Sequence, residues 1–370
     1  MRETGFEPAT FGSGGRRSIQ LSYSRDIQTD TCRTTHNTLT AGRTRTGNVP
    51  ARGGMIKQMP ELPDIQVYME QLVPRLVGQP LTALTIAKPF VLRSVDPPIA
   101  DAIGRRFTGV RRSGKRIVLV LDGDRFLVIH LMIAGRLRWR DAVAAEDSAR
   151  DGKARGRVRK PPAIAARLTL ATFTVPTGAL YFTEAGTTRR ASLHYVQGEA
   201  ALAAFDRGGL EVLGADRAAF AARLASENHT LKRTLTDPRL FSGIGNAYSD
   251  EILHRARLSP MALSTKMSDA DIGRLYGATQ DVLTEWTGRL RAATGGEFPE
   301  KVTAFHDEMA VHGRYGQPCP DCGAPVQRIR YASNETNYCA RCQTGGRRLA
   351  DRAMSRLLKE DWPRSIDDVE

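Results

Sequence analysis

Apolar residues recur along this chain with two different periods, and the change of period divides it. Ile65, Tyr68, Leu72 and Leu76 fall at helical spacing and predict an amphipathic helix with these residues as its buried stripe. Pro63 and Asp64 mark its start, because proline fits an early helical position and an acid is favoured in the first turn. Pro74 is expected to kink or end it. Short β-rich runs follow at 81–88, 107–112, 117–121 and 126–131, and resume at 167–175 and 180–183. Asp122-Gly123-Asp124-Arg125, between two of these runs, is a hairpin signal. From Glu199 the period turns helical, at 200–205, 218–225 and 230–235.

Two stretches interrupt the pattern. Residues 1–58 are rich in Arg, Thr, Gly and Ser and show neither period. A transit peptide fits poorly with Glu3, Glu7, Asp26 and Asp30, and a disordered basic arm is a second reading. The run GFEPATFGSGGRRSIQLSY resembles spurious translation of RNA genes upstream of a wrongly assigned start, so residues 1–58 are expected to be absent from the working protein. Residues 141–162 are polar, basic and end in Pro-Pro, as expected of a flexible insert between strands.

A third stretch, 231–260, carries candidate chemistry. One helix closes near Asp237-Pro238, and the turn Ser242-Gly243-Ile244-Gly245-Asn246 opens another over 247–255. Gly243 and Gly245 let the backbone approach a ligand. The N–H groups at the new helix start, with the Asn246 side chain, can bind a phosphate that Lys232 also reaches. A plain tight turn between packed helices is the alternative.

Charge supports a polyanionic partner. Lys and Arg number 54 against 40 Asp and Glu, a net +14 with a pI near 9.9, and Lys or Arg at phosphates releases condensed counterions. No apolar run is long enough for a membrane helix. Four of the five cysteines form two CxxC pairs, Cys319/Cys322 and Cys339/Cys342, separated by sixteen residues. That spacing predicts one closed, structural Zn2+ site in a reducing, cytoplasmic compartment. Arg328, Arg330, Arg341, Arg347 and Arg348 surround it and fit a finger lying on DNA; a ribbon for protein contact is the alternative. The tail from Leu349 to Trp362 has helical spacing.

Met59-Pro60-Glu61-Leu62-Pro63-Asp64 gives these pieces a common purpose. If Met59 starts the chain and is removed, the Pro60 nitrogen is a free secondary amine; within a longer chain it is an amide without nucleophilicity. An initial PELPD, a GIGN turn and a CxxC–CxxC finger, in this order, resemble the formamidopyrimidine-DNA glycosylase and endonuclease VIII family over nearly all of 60–342.

The resemblance implies a multi-domain α+β fold. An N-terminal β-sandwich with flanking helices would span 60–195, a helix-two-turns-helix domain 199–312, a β-hairpin zinc finger with four cysteine ligands 313–345, and an extension 346–370. It implies a bacterial, nucleoid-associated monomer acting on damaged double-stranded DNA as a bifunctional glycosylase and abasic-site lyase. Pro60 would attack C1′, Glu61 would serve as the acid–base carboxyl, and Lys115 would contact the phosphate and assist elimination. Lys232, Asn246, Gly243, Gly245, Arg189, Arg330 and Arg341 would hold DNA, with the target base flipped from the stack.

Departures from the family pattern bear on base choice and elimination. Asp64 stands where a glutamate is common, and Asn334 where the finger carries an arginine that supports the second elimination. HLGMSG becomes HLMIAG, with Ile133 at the gap-filling methionine, and DPRRFG becomes TTRRAS, with Ala191 at the wedge phenylalanine. The loop 293–303, where a damaged purine would be capped, matches no clear pattern. His130 is expected to be a core or hydrogen-bonded histidine. Preference for oxidised pyrimidines, or a damaged-DNA-binding protein without catalysis, are the alternative functions.

Overall fold

A computed structural model describes residues 59–142, 164–186, 188–300, 302–304, 306–331, 334–349 and 365–367. The leader 1–58, most of the 141–162 insert and, beyond Leu349, the tail helix proposed over 349–362 lie outside the described residues.

The first element, α1 (Leu62–Leu76), starts where Pro63 and Asp64 place it. The Asp64 Oδ2 accepts the Glu61 N–H at 2.9 Å, which satisfies one donor of the helix start. Ile65, Tyr68, Leu72 and Leu76 are fully buried, as their spacing requires. Pro74 does not end the helix. It removes one donor, but the Val77 N–H still reaches the Val73 carbonyl at 3.0 Å.

Eight strands follow: β1 (Ala83–Ile86), β2 (Phe107–Ser113), β3 (Arg116–Leu121), β4 (Arg125–His130), β5 (Gly135–Asp141), β6 (Thr169–Val175), β7 (Gly178–Glu184) and β8 (Ser192–Gln197). They form two antiparallel sheets, ordered β1-β6-β7-β5 and β2-β3-β4-β8. Phe107, Ile117, Leu119 and Leu193 from one sheet meet Phe173 and Phe182 from the other in a shared core, so the sheets make a sandwich. The β3–β4 hairpin closes by pairing Leu121 with Arg125, and Gly123 and Asp124 take the positive φ its turn needs. Strands β5 and β8 were not expected. Strand β5 alternates buried Leu137 and Trp139 with Arg136, Arg138 and Arg140, so its apolar signal is halved.

The helical part contains α2 (Glu199–Ala203), α3 (Arg217–Ala225), α4 (Leu231–Thr236), α5 (Asn246–Arg255) and α6 (Asp269–Thr294). Side-chain caps set three starts: Asp216 accepts from Ala219 N, Thr230 from Arg233 N and Ser268 from Asp271 N. The 26-residue α6 escaped the periodicity reading because Gly273, Gly277, Gly288 and several threonines dilute its stripe of Leu275, Val282 and Trp286. It stops at Gly295, which adopts φ +56°. Leu62 from the start of α1 is buried in this helical core with Phe241, Ile244 and Tyr248.

The finger hairpin pairs β9 (Gln327–Tyr331) with β10 (Asn334–Tyr338), followed by α7 (Ala340–Thr344). Helix α5 anchors it. The buried Glu251 carboxyl accepts from Ala310, Val311 and His312 N–H groups at 2.7, 3.0 and 2.9 Å. The neighbouring Asp250 contacts His312 Nδ1 at 2.7 Å and accepts from Asn337 N at 3.0 Å. Ile366 packs on the finger with Ile329, Tyr338 and Leu349.

We expect Glu251→Ala to destabilise the protein by several kcal/mol, since each orphaned buried amide costs ~1–3 kcal/mol. Glu285→Ala, which removes a partner of Arg255 and Arg289 at the surface, should cost under ~1 kcal/mol. Urea midpoints of the two variants check this, and similar midpoints would count against α5 as the anchor.

Candidate active site

The site is assembled where α1 begins against the start of α5. Pro60 and Glu61 are buried, with Glu61 only 2% exposed. Across the domain boundary, the Glu61 carboxyl accepts the Gly245, Ala247 and Tyr248 N–H groups at 2.6, 2.9 and 3.3 Å. It thereby satisfies donors that the start of α5 cannot satisfy within the helix, and its charge complements the helix dipole. This corrects the expectation that these amides bind a phosphate: a carboxyl of the chain itself already holds them. The half-buried Asn246 side chain remains beside them.

Lys115 enters from the turn between β2 and β3. A Cβ on Gly245 would lie 2.2 Å from Lys115 Nζ and 2.5 Å from the Glu61 carboxyl, so lysine, carboxyl and turn converge on one point that only glycine leaves free. Gly243 serves the same approach. Its φ is +81°, its carbonyl accepts the Leu62 N–H at 3.0 Å, and a Cβ there would meet Leu62 at 2.9 Å. Burial holds the Lys115 ammonium below its ordinary pKa; Glu61 opposes that shift and Lys232 adds to it.

Lys232 lies beside Asn246, but its ammonium is engaged within the protein. It bonds the Asp250 Oδ1 at 2.5 Å and the Asn246 carbonyl at 2.6 Å. The pair is buried, so this lysine fixes the turn from behind. Arg112, which sequence reasoning missed, bridges the sandwich to the turn through Ser242 Oγ at 3.3 Å and the Glu211 carboxyl.

Next to Pro60 opens a cavity of about 290 Å³ lined by Met59, Lys115, Arg116, His130, Arg207 and Gly243. Its cations suit a phosphodiester. His130 was expected in the core or in a hydrogen bond; it lines this cavity instead. Burial, then Arg116 and Lys115, push its pKa down to about 3, so the imidazole is neutral near pH 7.

The remaining predicted residues lie apart from this cluster. Arg189 is exposed, takes φ +44° and stacks over Phe90 at 5.5 Å. Ile133 is exposed, whereas Ala191 is fully buried, so no side chain projects outward at the wedge position. Asn334 and Arg330 are exposed on the finger hairpin, and the exposed Arg341 bonds Asp367 at 3.2 Å.

The four predicted cysteines come together with every Sγ within 4.8 Å of the others. Cys319–Cys342 and Cys322–Cys339 are 3.9 and 3.4 Å apart, close to the ~3.8 Å edge of a tetrahedron with Zn–S near 2.3 Å. The donor set therefore fits one structural zinc. His254 Nε2 on α5 lies 3.3 Å from Cys319 Sγ, a neighbour that the motif does not reveal.

The comparisons agree with this architecture. The formamidopyrimidine-DNA glycosylase N-terminal domain matches residues 59–184, its H2TH domain residues 212–289, and the zinc finger found in FPG and IleRS residues 316–345. The formamidopyrimidine-DNA glycosylase of Heliobacterium modesticaldum is 32% identical over 304 residues, covering 77% of this chain and 100% of the relative. An uncharacterized formamidopyrimidine-DNA glycosylase-like protein of Mycobacterium tuberculosis is 42% identical over 139 residues, 38% of this chain and 86% of that protein. The crystal structure of the Fpg protein from Thermus thermophilus superposes with a TM-score of 0.60 at 31% identity, covering 77% of this chain and 98% of that one. Fold, site and finger thus define a DNA glycosylase of base excision repair with a structural zinc. The chain belongs to the formamidopyrimidine-DNA glycosylase family.

Gly245→Ala should displace both Glu61 and Lys115, and with Glu61 the acceptor of three amides at the start of α5. We expect excision to fall about 100-fold or more, the scale of a misplacement near 1 Å, and Tm to fall as those amides lose their acceptor. Single-turnover assays beside thermal melts check this; near-normal excision would show that the convergence is not needed.

Proposed function

We propose that the active form begins at Pro60 and excises oxidised bases from duplex DNA, then cleaves the strand. The Pro60 secondary amine attacks C1′ of the damaged nucleoside, forming a C–N bond as the N-glycosidic bond breaks and the base departs with a proton. Glu61, after taking up a proton from solvent water, passes it to the sugar ring oxygen as the ring opens, and an iminium forms between Pro60 and C1′. The iminium acidifies a C2′ proton. Its loss expels the 3′-phosphate, with Lys115 beside the phosphate as counter-charge.

The observation that carries this reading is the convergence of Glu61, Lys115 and the Gly245 turn next to Pro60. The start of α1 adds to it, since a positive helix end disfavours an ammonium and keeps the amine unprotonated near neutral pH. Chemistry requires the free amine, because the nitrogen of a Met59–Pro60 amide is not a nucleophile. The family match starting at Met59 and the relative matched over its whole length within 77% of this chain support the same start. Damaged DNA is the expected partner through the basic cavity and the arginines of the finger.

Borohydride should trap a covalent adduct between abasic-site DNA and a chain starting at Pro60. A chain retaining residues 1–58, or one whose Pro60 nitrogen is acetylated, should trap at least tenfold less. Efficient trapping by the form that retains Met59 would contradict the assignment of the amine.

Elimination products give a second test. With Asn334 at the exposed hairpin position, gels should show mainly β-product, and Asn334→Arg should raise the β,δ-product severalfold. Predominant β,δ-cleavage by the unsubstituted protein would contradict this.

A further inference from the structure

Helix α5 presents one more side chain to the finger besides Asp250 and Glu251. His254, in its last turn, is only 4% exposed, and its Nε2 lies 3.3 Å from the Cys319 Sγ. The Asp321 carboxyl is 4.0 Å from the same nitrogen, beyond hydrogen-bond distance, so the sulfur is the partner. The contact joins the first cysteine of the finger to the helix whose start receives Glu61.

Four thiolates around one divalent ion carry a net negative charge. Away from water, such a charge is stabilised by N–H donors on the sulfurs. The finger's own backbone supplies some of them: the Cys342 N–H reaches the Cys339 Sγ at 3.5 Å, and the Ala324 N–H bonds Cys322. Cys319 differs in receiving a side chain from outside the finger. A zinc-bound thiolate has no proton to give, so the bond forms with the proton on Nε2 of the imidazole.

We propose that His254 is a positioning residue for the zinc site: it donates its Nε2–H to the Cys319 thiolate and thereby holds the metal in the finger. The bond takes charge from the sulfur and fixes the Cys319 side chain against α5. Release of zinc lets Cys319 take up a proton, which weakens the sulfur as an acceptor and leaves a buried N–H poorly satisfied. The zinc-loaded form is favoured by that difference. Four sulfurs complete the coordination, so His254 acts through Cys319 rather than as a ligand. This role is independent of the glycosylase chemistry.

The test uses the full chain loaded with zinc or with cobalt(II). It is unsubstituted, or carries His254→Phe, which keeps a flat ring without a donor, or His254→Gln, which keeps an N–H donor. Zinc should pass to excess chelator about tenfold faster or more from His254→Phe, the scale of losing such an outer partner. His254→Gln should restore most of the retention. In the cobalt form, the sulfur-to-metal charge-transfer absorption should move to longer wavelength in His254→Phe, because a sulfur without the hydrogen bond holds its electrons less tightly. It should return in His254→Gln. Unchanged zinc transfer from His254→Phe overturns the proposal. Equally fast transfer from both variants also overturns it and assigns His254 a packing role. If His254→Phe does not fold, His254→Gln decides alone: retention near that of the unsubstituted chain supports the proposal, and rapid loss overturns it. A cobalt spectrum of three sulfurs and one nitrogen in the unsubstituted chain would make His254 a ligand, which overturns it too.

Discussion

The structure depends on one carboxyl crossing a domain boundary. Glu61 leaves the start of α1 and accepts three N–H groups at the start of α5, from residues 184 to 187 positions away. A 2%-exposed carboxyl needs such partners, and a helix start set against another domain needs an acceptor. Each solves the other's problem. The bond also fixes Pro60, the residue before Glu61, relative to Lys115 and the turn that carries Gly243 and Gly245.

The same helix holds the finger at its other end. Glu251 takes amides from the segment entering the finger, Asp250 takes the Asn337 amide of β10, and His254, one turn on, touches the cysteine cluster. Helix α5 therefore joins the cluster of Glu61 and Lys115 to the zinc site through ten residues of backbone. Lys232 belongs to this frame. Its ion pair with Asp250 and its bond to the Asn246 carbonyl hold the turn from inside.

Motifs made of adjacent residues were legible in the sequence. The cysteine pairs announce their metal site within a few positions, the start of α1 follows from Pro63 and Asp64, and the β3–β4 hairpin follows from its own turn residues. Contacts between distant segments were not legible. Nothing local distinguishes the start of α5 as a place for Glu61 rather than for a phosphate, and nothing around His130 reveals that it lines a cavity. Strand β5 and helix α6 were missed for a simpler reason: outward arginines in one, and glycines and threonines in the other, thin the apolar period below recognition.

Two amines in the site are candidates for attack, because burial also lowers the pKa of Lys115. Attack falls to Pro60 in the proposed reaction, and the phosphate to Lys115. Peptide mapping of the borohydride-reduced adduct by mass spectrometry separates the two most directly. The reduced sugar is expected on the N-terminal Pro60 peptide; finding it on the Lys115 peptide would contradict that assignment.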